Sequence, residues 1–105
     1  MKPFIDIAGA SGSAYRFQRV SGPARLPATA GNFVFVRSNG EGDDVICCGM
    51  TRSLVLAGAA WTSAVEQHQA TSIFVRLNVS RSVRAAEHDD IVARQKPILA
   101  INDLG

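Results

Sequence analysis

The sequence lacks the features that mark several classes of protein. Its longest apolar segment, residues 54–61, is far shorter than the ~20 residues that a membrane-spanning helix needs, and no signal-peptide core follows residues 1–3. The only two cysteines, Cys47 and Cys48, are adjacent, so a disulfide framework is excluded. With four prolines and 19% charged residues, the composition is that of a folded domain. These absences favour one cytoplasmic domain of 105 residues with no membrane partner.

Acidic residues are missing from two long stretches of the chain. The net charge of +2 is too small to indicate a nucleic-acid partner by itself. However, no aspartate or glutamate occurs between Asp6 and Glu41 or within residues 67–86. These two stretches contain seven arginines, namely Arg16, Arg19, Arg25, Arg37, Arg76, Arg81 and Arg84. Arginines gathered on one face by folding would bind phosphate. Arginines scattered over a solvated surface are the alternative.

The first half of the chain predicts two β-hairpins. Residues 4–7 and 14–20 are rich in aromatic and β-branched side chains and flank a turn of small residues. A proline-rich loop follows at residues 21–27. Residues 32–37 and 44–48 then form the second hairpin, apolar on both faces, which indicates a sheet that is covered on both sides.

In the second half the apolar spacing changes to three and four residues, which predicts a helix from about Thr51. Its apolar stripe consists of Met50, Leu54, Ala57, Trp61, Ala64 and His68. Residues 70–77 predict another strand, and residues 80–95 a closing helix that ends at Lys96 and Pro97. The predicted fold class is therefore α/β (α+β), a small antiparallel or mixed sheet with helices packed on it.

Several short motifs occur in the order found in a known family. Gly31-Asn32-Phe33 and Cys47-Cys48-Gly49 occupy the positions of two signature tripeptides, and Leu54 follows the second. Residues 84–99 are similar to the closing helix with its Lys-Pro end. In this respect residues 31–102 resemble the GIY-YIG nuclease domain, and residues 1–22 add an N-terminal hairpin.

The resemblance implies a fold whose nuclease chemistry has been lost. The nucleases of this family use a tyrosine in each signature, a lysine after the second, an arginine in the first helix, a metal-binding glutamate and a late asparagine. The corresponding residues here are Phe33, Cys47, Met50, Ala57, His88 and Ala100. Because these positions hold neither a metal ligand of that type nor a phosphate clamp, we expect no nuclease activity and no cofactor.

A divergent nuclease is the alternative interpretation. In that case Glu87, next to the expected position at His88, would hold a divalent metal such as Mg²⁺, and Arg52 or Arg84 would bind phosphate. One residue corresponds to a rotation of ~100° on a helix, so Glu87 points in a different direction from His88. This alternative therefore requires Glu87 to face the same cleft as Phe33 and Cys47.

His88 and the two cysteines have structural interpretations beside the functional ones. His88 is expected to be a hydrogen-bonded residue at the edge of the core, with ligand binding as the alternative. Cys47 and Cys48 are expected to be small buried residues on opposite faces of a strand. A reactive thiol would need Arg52 or His88 close to it to lower its pKa.

The arginines have the best functional case. The candidates for phosphate binding are Arg37, Arg52, Arg76, Arg81 and Arg84. We therefore expect a non-catalytic binding or interaction module. Its partner is either a nucleic acid or a protein, and a homodimer formed through the N-terminal hairpin is a further possibility.

Overall fold

The computed structural model describes residues 2–104 and confirms the α+β class. Six strands form one mixed sheet: β1 (Phe4–Ala8), β2 (Ala14–Val20), β3 (Gly31–Ser38), β4 (Asp43–Thr51), β5 (Ser72–Leu77) and β6 (Leu99–Leu104). Two helices, α1 (Gly58–His68) and α2 (Arg81–Gln95), pack on it. Short 3-10 turns occupy Pro23–Arg25 and Leu54–Ala57.

The strand order in the sheet is β1-β2-β5-β3-β4-β6. Both predicted hairpins are present, and the first joins the same sheet because β2 pairs antiparallel with β5, with Gln18 opposite Val75. All pairings are antiparallel except β4 with β6. The N-terminal hairpin is therefore a continuous part of the sheet.

Alternating side chains of the central strands enter two separate cores. Phe33 and Phe35 of β3 pack in one core with α1, and Trp61 lies edge-on to Phe35 with ring centroids 5.3 Å apart. Val34 and Val36 pack in the other core with Ile91 and Val92 of α2. We call these the α1-side core and the α2-side core. Their separation explains why the second hairpin is apolar on both faces.

The start of the first helix differs from the prediction. Met50 belongs to β4, and the α-helix begins at Gly58, after the 3-10 turn. The Thr51 hydroxyl accepts a hydrogen bond from the Ser53 backbone N–H and donates to the Leu104 carbonyl, 2.7 Å away, so Thr51 connects β4 to β6 and is not the first residue of the helix. Met50 was therefore wrongly placed on the helical stripe.

The closing helix matches the prediction, but the strand after it was missed. The side chain of Ser80 caps α2 by accepting from the Val83 backbone N–H, and Lys96 ends the helix in a left-handed conformation, φ 47°. Residues 99–104 then form β6 along the edge of β4. The sequence LAINDL has few β-branched residues, so local propensity did not indicate a strand there.

Asp90 of α2 holds the tip of the first hairpin. Its carboxylate accepts hydrogen bonds from the Ser11 backbone N–H at 2.8 Å, the Ser11 hydroxyl at 2.7 Å and the Tyr15 hydroxyl at 2.7 Å. A Cβ atom at Gly9 would overlap this carboxylate, so the close approach requires glycine here. The hairpin is thus fixed both to β5 and to α2.

Within residues 2–104 no helix has the length and apolar character needed to cross a bilayer.

Candidate nucleic-acid interface

Three of the positions that the resemblance assigns to nuclease residues lie inside the α1-side core. Phe33, Cys47 and Ala57 have no exposed surface there. Gly49 lies beneath the Phe33 ring, and a Cβ atom at that position would overlap it. Met50 is also buried, at 6% exposure. These side chains fill the core and do not line a cleft.

Glu87 lies on the other side of the sheet from Phe33 and Cys47. Its carboxylate accepts hydrogen bonds from Arg76 Nε at 2.8 Å and from Asn78 Nδ2 at 2.9 Å, on the face that α2 covers. The geometry that a metal-dependent alternative needs, with Glu87 facing Phe33 and Cys47, is therefore not present. No group of three or more potential metal ligands occurs among the described residues.

His88 is a buried residue, as expected from its position on α2. It is 2% exposed, and its Nε2 shares a hydrogen bond of 3.0 Å with Asn102 Oδ1 on β6. Ala100, at the expected asparagine position, is exposed on the same strand. The histidine thus connects α2 to the edge strand that the sequence did not reveal.

The two cysteines are buried thiols on opposite faces of β4. Cys47 lies in the α1-side core and Cys48 in the α2-side core. Burial raises the pKa of each thiol to about 12. Since the thiolate is the reactive form, this environment is the reverse of one that activates a cysteine.

The five arginines chosen from the sequence do not form one site. Arg37 lies opposite Asp44, at the other end of β3 from Asn32, which pairs with Arg76. Arg37 bonds to Asp44 at 3.4 Å. Carboxylates also partner Arg76, which binds Glu87, and Arg81, which binds Asp103 at 3.0 Å. Arg52 is exposed just after β4.

Arg84 is buried beneath α2. It is 5% exposed, and one guanidinium nitrogen donates to the Val79 carbonyl at 2.9 Å. Its Nε has no hydrogen-bond partner among the described residues. Because so little of its surface is accessible, Arg84 cannot serve as an exposed phosphate contact.

A different set of residues forms an open groove of about 610 Å³ on the α1 side of the sheet. The N-terminal hairpin, the end of β5 and the segment after β2 enclose it. Its lining comprises Phe4, Arg16, Gln18, Arg19, Val20, Ser21, Arg25, Pro27, Val75, Arg76 and Leu77. This set includes four arginines and no acidic residue. We call it the arginine groove.

Two of these arginines present their guanidinium groups on the groove side. Arg16 is in alternation with Gln18 and Val20 on β2, and Arg25 is exposed at the end of the 3-10 turn. Arg76 instead extends to Glu87 on the α2 side. Arg19 is paired in register with Phe74 of the α2-side core, which places its side chain on that side as well.

The two groove guanidinium groups differ in their partners. Arg16 forms a bidentate pair with Asp6, with Nε to Oδ1 at 3.0 Å and a second contact at 3.3 Å. Hydrogen bonding to Arg16 lowers the pKa of Asp6. Arg25 has no side-chain partner within residues 2–104. Phe4 is 44% exposed, and its ring lies 5.4 Å below the Arg16 guanidinium carbon.

A second groove, of about 460 Å³, has a mixed charge. Lys2 and Arg19 line it together with Glu41 and Asp43, and Lys2 forms an ion pair with Asp43. The opposing charges cancel there. Of these two grooves, only the arginine groove favours an anionic ligand.

The sequence contained part of the signal for this site. Arg16 and Arg25 belong to the first acid-free stretch, but they were not among the five chosen arginines. Phe4 was seen only as a strand residue. The pairing of β2 with β5 brings these residues together, and no local pattern showed that pairing.

Comparison with protein-family models, with curated proteins and with solved structures finds no significant match for this chain.

Proposed function

We propose that this chain is a non-catalytic binding module on a GIY-YIG-like scaffold and that it binds nucleic acid through the arginine groove. The observation that carries the proposal is the lining of that groove, which includes no acidic residue and onto which Arg16 and Arg25 present their guanidinium groups. Arginine donates to phosphate oxygens in a planar, bidentate geometry, and electrostatic attraction to phosphate dominates the affinity of nucleic-acid-binding proteins.

The absence of catalysis is supported by where the signature positions lie. Phe33, Cys47 and Ala57 are fully buried, so they touch no substrate. Glu87 is occupied by Arg76 and Asn78 on the opposite face. We therefore expect no cleavage of single-stranded, duplex or branched DNA in the presence of Mg²⁺.

Fluorescence anisotropy with labelled oligonucleotides at several salt concentrations tests the binding. We expect affinity to fall with salt, and the slope of log K against log salt to become shallower by about one for Arg16→Ala or Arg25→Ala. Arg94→Ala is the matched control, because it removes one exposed arginine from the far end of α2. A loss equal to that of the groove variants would contradict the assignment.

An acidic peptide is the alternative ligand for this groove. A competition experiment with the same labelled oligonucleotide distinguishes the two. Polyglutamate with the same number of charges as the oligonucleotide provides the charge without bases or sugars. Equal competition by polyglutamate would show that the groove recognises negative charge on a protein partner as readily as on a nucleic acid. We expect the oligonucleotide to compete more strongly.

A further inference from the structure

The arginine groove combines charge with an exposed aromatic ring and an apolar floor. Val20, Val75 and Leu77 contribute the apolar part, and Leu77 is 61% exposed. Phe4 lies at one side, and it keeps 44% of its surface exposed even though the Arg16 guanidinium lies over its ring. A phosphate group alone would not contact these apolar surfaces. A ligand with flat, apolar faces, such as a nucleobase, would pack against them.

The shape of the groove favours single-stranded over double-stranded nucleic acid as its ligand. A duplex keeps its base faces stacked inside, and proteins read its bases by inserting a helix or a β-ribbon into the major groove. Here the binding surface is a recess on the face of a sheet, so an oligonucleotide must bring its bases into it. A volume of about 610 Å³ is within the range of small-molecule pockets and is suitable for one or two nucleotides.

The groove also has polar groups that can contact the backbone of a single strand. Arg25 lacks a side-chain partner within residues 2–104, and Arg16, which pairs with Asp6, is 65% exposed beside Phe4. Gln18 and Ser21 also line the groove, and their side chains can donate and accept hydrogen bonds to base edges or sugar hydroxyls. Aromatic rings that stack on bases, beside cations that contact phosphates, are how sheet surfaces hold single strands.

We infer that the ligand is single-stranded nucleic acid, with one base stacked on Phe4 and the adjacent phosphates bound by Arg16 and Arg25. This inference rests on the proposed function, and it adds the kind of nucleic acid and the contact that selects it. RNA and single-stranded DNA share this chemistry, and the experiment below separates them.

The test compares four labelled probes: a 12-nucleotide oligo-dU, a 12-nucleotide oligo-U, a mixed-sequence single strand and the duplex of that same sequence. Anisotropy is measured with the wild-type protein, with Phe4→Leu, which keeps an apolar side chain but removes the ring, and with Val65→Ala. Val65 is an exposed apolar residue on α1, outside the groove, so it serves as the matched control. Thermal unfolding of each variant checks that the hairpin stays folded.

We expect the mixed-sequence single strand to bind at least tenfold more tightly than its duplex. Phe4→Leu should weaken single-strand binding about tenfold, within the range for loss of one stacked base, and Val65→Ala should leave it unchanged. In NMR spectra, the Phe4 ring protons should shift upfield when either oligo-dU or oligo-U binds. The tighter of these two probes identifies the preferred sugar, because their bases are the same.

Equal affinity for duplex and single strand, or unchanged binding by Phe4→Leu, would overturn this inference. If the Arg16 and Arg25 variants still reduced the salt dependence of the affinity, the proposed function would stand and only the inference of a single-stranded ligand would fail. If no probe bound in a salt-dependent manner, both proposals would fail together.

Discussion

Tyr15 donates a 2.7 Å hydrogen bond from its hydroxyl to the carboxylate of Asp90, 75 residues further along the chain. The same carboxylate accepts two hydrogen bonds from Ser11. One side chain of α2 therefore positions the hairpin that supplies Phe4 and Arg16 to the arginine groove.

Substitution of Asp90 should lower stability at neutral pH and remove part of its pH dependence. Hydrogen bonds from Ser11 and Tyr15 hold the pKa of Asp90 below its ordinary value of 3.8. The stabilisation is therefore complete above the unfolded-state pKa and is lost as pH falls through the lower folded-state value. Between neutral pH and this acidic range, we expect the stability of Asp90→Asn to fall by less than the stability of the wild-type protein. Thermal unfolding at several pH values measures both changes.

Two variants complete this test of the Asp90 contact. Tyr15→Phe removes one hydrogen bond and should cost about 1 kcal/mol. Asp89→Asn alters the neighbouring, exposed carboxylate and is the control. If Asp89→Asn had the same effect as Asp90→Asn, helix charge and not the hairpin contact would be responsible.

Gly49→Ala should be severely destabilising. A Cβ atom there would overlap the Phe33 ring, which is completely buried and has no room to move. Overpacking of this kind costs about 1–3 kcal/mol or more in denaturant unfolding. Gly58→Ala is the control, because the space around that helical residue is open and alanine there should stabilise by up to about 1 kcal/mol. A neutral Gly49→Ala would contradict the packing described for Phe33.

The two cysteines should be unreactive in the folded protein. With a thiol pKa of about 12 for both Cys47 and Cys48, the thiolate is scarce at pH 8, and burial denies access to reagents. We expect 5,5′-dithiobis(2-nitrobenzoate) to modify neither thiol until guanidinium chloride unfolds the chain, when both react. Rapid modification of one thiol under native conditions would show that one face of β4 opens.

Replacing Arg84 should cost little stability, in contrast to Arg76. Arg84 is 5% exposed and pairs with no carboxylate among the described residues, so Arg84→Met exchanges a poorly satisfied charge for an apolar group. We expect a change within about 1 kcal/mol, of either sign, by chemical denaturation. Arg76→Met leaves the mostly buried Glu87 with Asn78 alone and should be the more destabilising of the two. The reverse order would show that the guanidinium of Arg84 is well satisfied.

Asp6→Asn should strengthen nucleic-acid binding. Asp6 occupies the Arg16 guanidinium in the free protein and competes with a phosphate for it. Both side chains are largely exposed, so solvent weakens their pairing, and the gain in affinity should be at most about fivefold. Anisotropy at low salt measures it. Weaker binding by this variant would mean that Asp6 orients Arg16 for the ligand.

Most of the fold could be predicted from the sequence because its signals are local. The alternating phenylalanines and valines of β3 and the Ser80 cap of α2 are signals carried by neighbouring residues alone. β6 could not be predicted, since its strand conformation comes from pairing with β4 and not from its own residues.

The candidate site was less predictable for the same reason. Acid-free stretches identified the relevant arginines as a group but could not separate Arg25, which has no side-chain partner within residues 2–104, from Arg76 and Arg81, which pair with carboxylates. Those carboxylates, Glu87 and Asp103, lie 11 and 22 residues away from their arginines. Only the folded arrangement shows which cations are already paired.

The pairing of β2 with β5 also has a consequence for biosynthesis. As the chain emerges from the ribosome, the first hairpin has no sheet to join until Leu77 has been made, because its partner strand comes more than fifty residues later. A two-stranded hairpin is marginally stable in water by itself. The arginine groove therefore forms only after β5 has been made and β2 has paired with it.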